Sequence, residues 1–161
     1  MRTTALARID VGVVVERRKA RSSWASFLWR PVSVFVGSPS AAPWTPLGSE
    51  AGAETTAFYV GQAVVELHRT ETANYCDNLA SGSPAVWVAL RPTTSGSSYE
   101  LAGVTVDPAE GEAFTDAGSN LVDQVPMPGE LAKIVRQFVV QHHVDRPFIK
   151  RKRDRQGLAG K

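Results

Sequence analysis

Residues 10–37, DVGVVVERRKARSSWASFLWRPVSVFVG, decide how the chain is read. Ile9, Val11, Val13 and Val15 recur at every second position, which places them on one face of a strand over residues 7–16. Val14 on the other face implies a partly covered second side. The bases Arg17, Arg18, Lys19 and Arg21 are expected to end that strand. Trp24, Phe27 and Leu28 stand at i, i+3 and i+4, a spacing that predicts one helical turn. Pro31 stops the turn and opens a second strand, in which Val32, Val34 and Val36 alternate with Ser33 and Phe35.

Outward from this stretch, residues 37–53 form a loop rich in Gly, Ser, Pro and Ala, with the Trp44 ring pinned between prolines. Residues 56–60 and 63–68 read as two strands turning at Gly61 and Gln62, hence a hairpin. A helix is predicted over residues 70–79. The run AVWVAL at 85–90 is the most continuously apolar and belongs in the middle of its sheet. Another strand follows at 99–106. Asp107-Pro108-Ala109-Glu110 combines a capping aspartate, a first-turn proline and a glutamate, a helix-start pattern. An edge strand is expected at 121–125. The longest helix spans about 128–143, with Leu131, Ile134, Val135, Phe138 and His142 along one face. Hairpins and the shortage of long helices between strands give an α+β fold. The expectation is a mainly antiparallel sheet of six or seven strands, open to curling into a partial barrel, with the long C-terminal helix packed on it. Residues 1–149 form that single domain, and 150–161 a basic, disordered tail.

A chain of 161 residues is long enough for one domain that buries roughly two thirds of its unfolded surface. Its net charge of +2 hides a segregation. Residues 1–30 carry +5, residues 31–140 carry −8 and residues 141–161 carry +5. An acidic body with two basic elements points to self-complementary packing or to docking on an acidic partner. The single cysteine, Cys76, excludes an internal disulfide. With no signal peptide and no apolar run of about 20 residues, the chain reads as cytoplasmic, without a membrane partner.

The candidate site is the basic-aromatic cluster Arg17, Arg18, Lys19, Trp24, Trp29 and Arg30, which could hold an anion or an acidic partner. Its competing reading makes the tryptophans core rings with solvated arginines over their edges. A second element, Lys150, Arg151, Lys152 and Arg153, reads as a docking tail or as solvated chain. Nucleic acid is a poor partner, because the acidic body would repel its backbone. No catalytic residues and no metal ligands are assigned. Adjacent His142 and His143 diverge by about 100° on a helix and cannot easily share a metal; His142 is expected buried and hydrogen-bonded. His68 and Glu71 stand at a ligand-like spacing with no second pair. Cys76 reads as a small buried residue.

Three blocks, VGVVVERRKARSSWASFLWRPVSVFVG, ELHRTETANYCDNLASGSPAVWVALRP and VPMPGELAKIVRQFVVQHHVDRPFIKRKRD, together resemble a proteobacterial family of short uncharacterised proteins, a domain of unknown function. The resemblance implies genes beside those of molybdenum enzymes, notably formate dehydrogenase. Some members are labelled molybdopterin-guanine dinucleotide biosynthesis protein A. A guanylyltransferase needs a glycine-rich nucleotide loop after its first strand, whereas here Val15 is followed by Glu16-Arg17-Arg18-Lys19. The expectation is therefore a non-enzymatic accessory or maturation factor for a molybdenum-dependent formate dehydrogenase. It would act by docking to a protein partner, the enzyme or its maturation machinery. The alternative is an enzyme or carrier that binds molybdopterin-guanine dinucleotide or a guanine nucleotide. No cofactor follows from the residues; the resemblance alone brings in the molybdenum cofactor.

Overall fold

The computed structural model describes residues 4–20, 27–48, 54–94 and 98–144. The strands are β1 (Ala7–Lys19), β2 (Phe27–Val36), β3 (Thr45–Pro46), β4 (Thr55–Leu67), β5 (Ala85–Pro92), β6 (Tyr99–Thr105) and β7 (Leu121–Pro126). Helix α1 (Thr72–Ala80) lies between β4 and β5, α2 (Pro108–Ala113) between β6 and β7, and α3 (Gly129–His142) follows β7. Among the described residues no helix is long and apolar enough to cross a membrane.

The strand read from alternation is the spine of the molecule. β1 pairs antiparallel with β2 on one side and β4 on the other, and Val11, Val13 and Val15 are wholly shielded from water. Each such side chain contributes about 1.5–3 kcal/mol of hydrophobic stabilisation.

The seven strands do not share one sheet. They form two antiparallel sheets, ordered β2-β1-β4-β3 and β6-β5-β7. β4 lies against β6 and β2 against β7, yet no ladder joins them, so no barrel closes among the described residues. Each sheet turns one apolar face inward. Val11, Val13, Val15, Val34 and Val65 belong to one cluster with Val86, Val88, Leu90, Val104 and Val125. Two half-apolar sheets bury these faces by layering, which corrects the expected six- or seven-stranded sheet and partial barrel. The helices are short, with 9, 6 and 14 residues. Among the described residues no long helix packs across a sheet: α3 rests on α1 and touches β2, burying Leu131, Ala132, Val135 and Phe138.

Four local expectations also change. The hairpin at Gly61 is one continuous strand, β4, carrying a bulge. Pairing passes from Val13↔Gly61 to Val14↔Tyr59, leaving Val60 as the extra residue, and Gly61 takes φ 135. Glycine supplies the backbone freedom for a bulge as readily as for a turn. The bases do not end β1, because Arg17, Arg18 and Lys19 continue the ladder opposite Trp29, Leu28 and Phe27. Phe27 and Leu28 consequently belong to β2 rather than to a helical turn; Trp24 and Arg21 lie outside the described residues. Pro31 falls inside β2, at the irregularity where Val14↔Ser33 gives way to Val15↔Pro31. An edge strand tolerates its missing N–H there.

Glycines make room where layers meet. A Cβ on Gly12 would lie 2.2 Å from the Phe35 ring, and one on Gly111 would lie 2.2 Å from the Trp87 ring. Phe35 therefore lies over β1 on the outer face, and α2 sits tightly on β5. Asp107 caps α2 by accepting from the Ala109 amide at 2.9 Å, as the sequence pattern requires. The glutamate of that pattern, Glu110, instead accepts from the Thr105 hydroxyl at 3.3 Å.

Candidate functional site

β1 and β2 extend past the buried valines into a cluster of rings. Alternation puts Arg17 on the same face as Val15, and its cross-strand partners are Trp29 and Thr56. Phe58, opposite Val15, joins the same face. The irregular segment before β4 adds Trp44, held in the left-handed region at φ 66. Thr45 fixes that turn, its hydroxyl donating to the Ala42 carbonyl at 2.6 Å. Trp29 meets Trp44 edge-on at 5.4 Å and 83°, Phe58 at 6.0 Å and Tyr99 of β6 at 6.3 Å. Four elements thus meet at Trp29, and the rings close this end of the sandwich.

Arg17 forms the lid. Its guanidinium carbon lies 4.3 Å from the Phe27 centroid, 5.1 Å from Phe58 and 5.7 Å from Trp29. Such cation–π contacts contribute about 0.5–2 kcal/mol each. The side chain is half-buried. Among the described residues no carboxylate pairs with Arg17, Arg18 or Lys19, in contrast to Arg8, Arg30 and Arg91, each beside a glutamate. Beside the lid Phe27 is 37% exposed, whereas Leu28, opposite Arg18 and 58% exposed, stands on the other face.

The sequence-named residues therefore separate. Arg17 and Trp29 come together, with Lys19 two positions further along the same face. Arg18 projects to the opposite face. Arg30 also stands there, with its guanidinium 3.6 Å from the Glu16 carboxylate, so it is the weakest member of the set. Trp24 and the tail Lys150, Arg151, Lys152 and Arg153 lie outside the described residues. Phe27, Trp44, Phe58 and Tyr99 were not assigned to the site from sequence. Their only signal was aromatic content, and register alone brings them to Arg17.

The rings pack against one another edge-on or tilted, and Arg17 lies over three of them. Among the described residues Trp29 and Trp44 meet edge-on, with no parallel slot between the two rings.

The other polar groups of interest serve the fold or lie at the opposite end. The Tyr75 hydroxyl accepts from the His68 amide at 2.8 Å, and burial pushes its pKa up to about 12. The Asn74 amide bridges Glu71 at 3.1 Å and Asp107 at 3.0 Å. A cleft of about 700 Å³ separates the start of α1 from the end of α3, lined by Arg69, Thr70, Thr72, His142 and His143. His142 is half-exposed against Phe138, with centroids 4.5 Å apart, rather than buried. It is His143 that stands 3.0 Å from the Thr72 hydroxyl. Cys76 is half-buried in α1. Among the described residues no group of three histidine, cysteine or acidic side chains could hold a metal.

The chain belongs to the family described as Protein of unknown function (DUF3305), whose model matches residues 10–152. That match takes in the ring cluster, both sheets and α3. No curated protein and no solved structure matches the chain.

Proposed function

We propose that this protein is a non-enzymatic docking factor that assists assembly or maturation of a molybdenum-dependent formate dehydrogenase. The observation that supports docking is the end of β1 and β2. Arg17 and Lys19 stand there on one face beside the partly exposed Phe27 ring, and Arg18 with exposed Leu28 on the other, none of the three bases having a carboxylate partner among the described residues. Apolar surface rimmed by uncompensated charge is what a protein interface with an acidic partner requires. The resemblance to sequences encoded beside molybdenum-enzyme genes supplies the enzyme.

Deleting the gene and assaying formate dehydrogenase in extract tests the reading. Lost activity, restored by the wild-type chain but not by an Arg17→Glu, Arg18→Glu double variant, is the expected result. Normal activity with normal cofactor content in the deletion strain would overturn it. Binding through exposed charge should also weaken as salt rises, since contacts beyond about 8 Å are screened at physiological ionic strength.

A further inference from the structure

Arg17 has a geometry that narrows what can dock. A guanidinium lying over rings uses its faces for the aromatic contact and keeps its N–H donors in the plane, pointing past the ring edges. The rings nearest it are Phe27 at 4.3 Å and Phe58 at 5.1 Å. No hydrogen bond or ion pair engages its donors among the described residues. Resting on the docking reading above, we infer that Arg17 is a carboxylate clamp. It would take one aspartate or glutamate side chain of the partner edge-on, as two parallel N–H···O bonds, while a neighbouring apolar side chain of that segment covers Phe27.

Two features favour a carboxylate over a phosphate. A planar carboxylate matches one guanidinium fork, whereas recognition of phosphate in peptides draws on clustered arginines. Here strand alternation turns Arg18 to the opposite face, and Arg30 stands beside Glu16 at 3.6 Å. Among the described bases at this end of β1 and β2, Lys19 shares the Arg17 face, about 7 Å along the strand. One fork with an apolar border, Phe27 being 37% exposed, suits a single acid set among hydrophobic residues.

The test uses the full chain and a random decapeptide library displayed on phage. Recovered peptides are expected to carry an aspartate or glutamate next to an aromatic or aliphatic residue. Synthetic copies would then be titrated by tryptophan fluorescence against wild type, Arg17→Lys, Arg17→Gln and Arg18→Gln, with circular dichroism and melting confirming that each variant is folded. Lysine keeps the charge and loses the fork, so Arg17→Lys should weaken binding about tenfold, as should Arg17→Gln. Arg18→Gln should change it less than about threefold. Acidic peptides that bind Arg17→Lys as well as wild type would overturn the clamp and leave docking by charge standing. Recovered peptides without acidic residues would overturn the clamp as well. Inorganic phosphate or guanosine monophosphate displacing the peptide at comparable concentration would overturn the carboxylate assignment.

Discussion

Replacing Asn78 by alanine should destabilise the protein by about 3 kcal/mol, and the estimate follows from three hydrogen bonds. Asn78 lies in α1, 4% exposed. Its amide nitrogen donates to the Ala85 carbonyl at 2.9 Å and to the Val106 carbonyl at 2.8 Å, and its Oδ1 accepts from the Ala85 amide at 2.9 Å. One side chain therefore ties α1 to the first residue of β5 and to the residue that follows β6. A typical net hydrogen bond contributes about 1 kcal/mol, and each buried group left unpaired costs about 1–3 kcal/mol. Alanine returns at most about 0.7 kcal/mol through helix propensity, too little to reverse the sign. For a chain of 161 residues, 3 kcal/mol corresponds to a melting temperature lower by about 9 °C. Urea unfolding followed by circular dichroism should show a lower midpoint with unchanged slope. Asn78→Asp should be worse at neutral pH, because it keeps the acceptor but turns a second oxygen towards two carbonyls. That variant should recover partly as pH falls and its carboxyl gains a proton to donate. An Asn78→Ala protein within about 1 kcal/mol of wild type would refute the reasoning, since it would mean that water or relaxation satisfies all three backbone groups.

Gly12→Ala should lower stability by about 1–3 kcal/mol in the same assay, since its Cβ would enter the Phe35 ring, and Phe35→Leu in the same chain should recover part of the loss. Tyr75 binds its proton more tightly in the folded state, pKa about 12 against 10.0, so its contribution is intact below pH 10 and is lost as pH rises through 12. Alkaline unfolding should accordingly show a stability loss of about 2–3 kcal/mol over that window, absent in Tyr75→Phe. Arg8 holds the Glu66 carboxyl below its usual range through their hydrogen bond, but the arginine side chain is 69% exposed and the glutamate 40%. Arg8→Gln should thus shift stability by less than about 1 kcal/mol, the lost contribution being one present above the unfolded pKa and fading as pH falls; a larger change in the urea midpoint would contradict this.

The sequence by itself determined where most elements lie and which face of each is apolar, because those properties are set by neighbours two to four residues away. Period-two valines placed β1 and the second half of β2. The run AVWVAL gave a strand that is central in its sheet, and Asp107 with Pro108 marked the start of α2. Tertiary structure decided whatever depends on which edge meets which edge. Gly61 reads identically as a turn or a bulge, and only a continuous β1 beside it selects the bulge. Whether seven strands join one sheet or two is not written in alternation, since either arrangement buries the same inward residues. The site divides in the same way. Basic and aromatic residues near position 17 were legible, but the face of Arg17 was not, because it depends on β1 running four residues further than its last valine. Pairing carries that strand on to Lys19, beside Phe27 and Trp29 from β2, Phe58 from β4 and Tyr99 from β6. The same pairing sets Arg30 beside Glu16. Local chemistry wrote the segments, and long-range register chose which of their charges would stand unpaired on the rings.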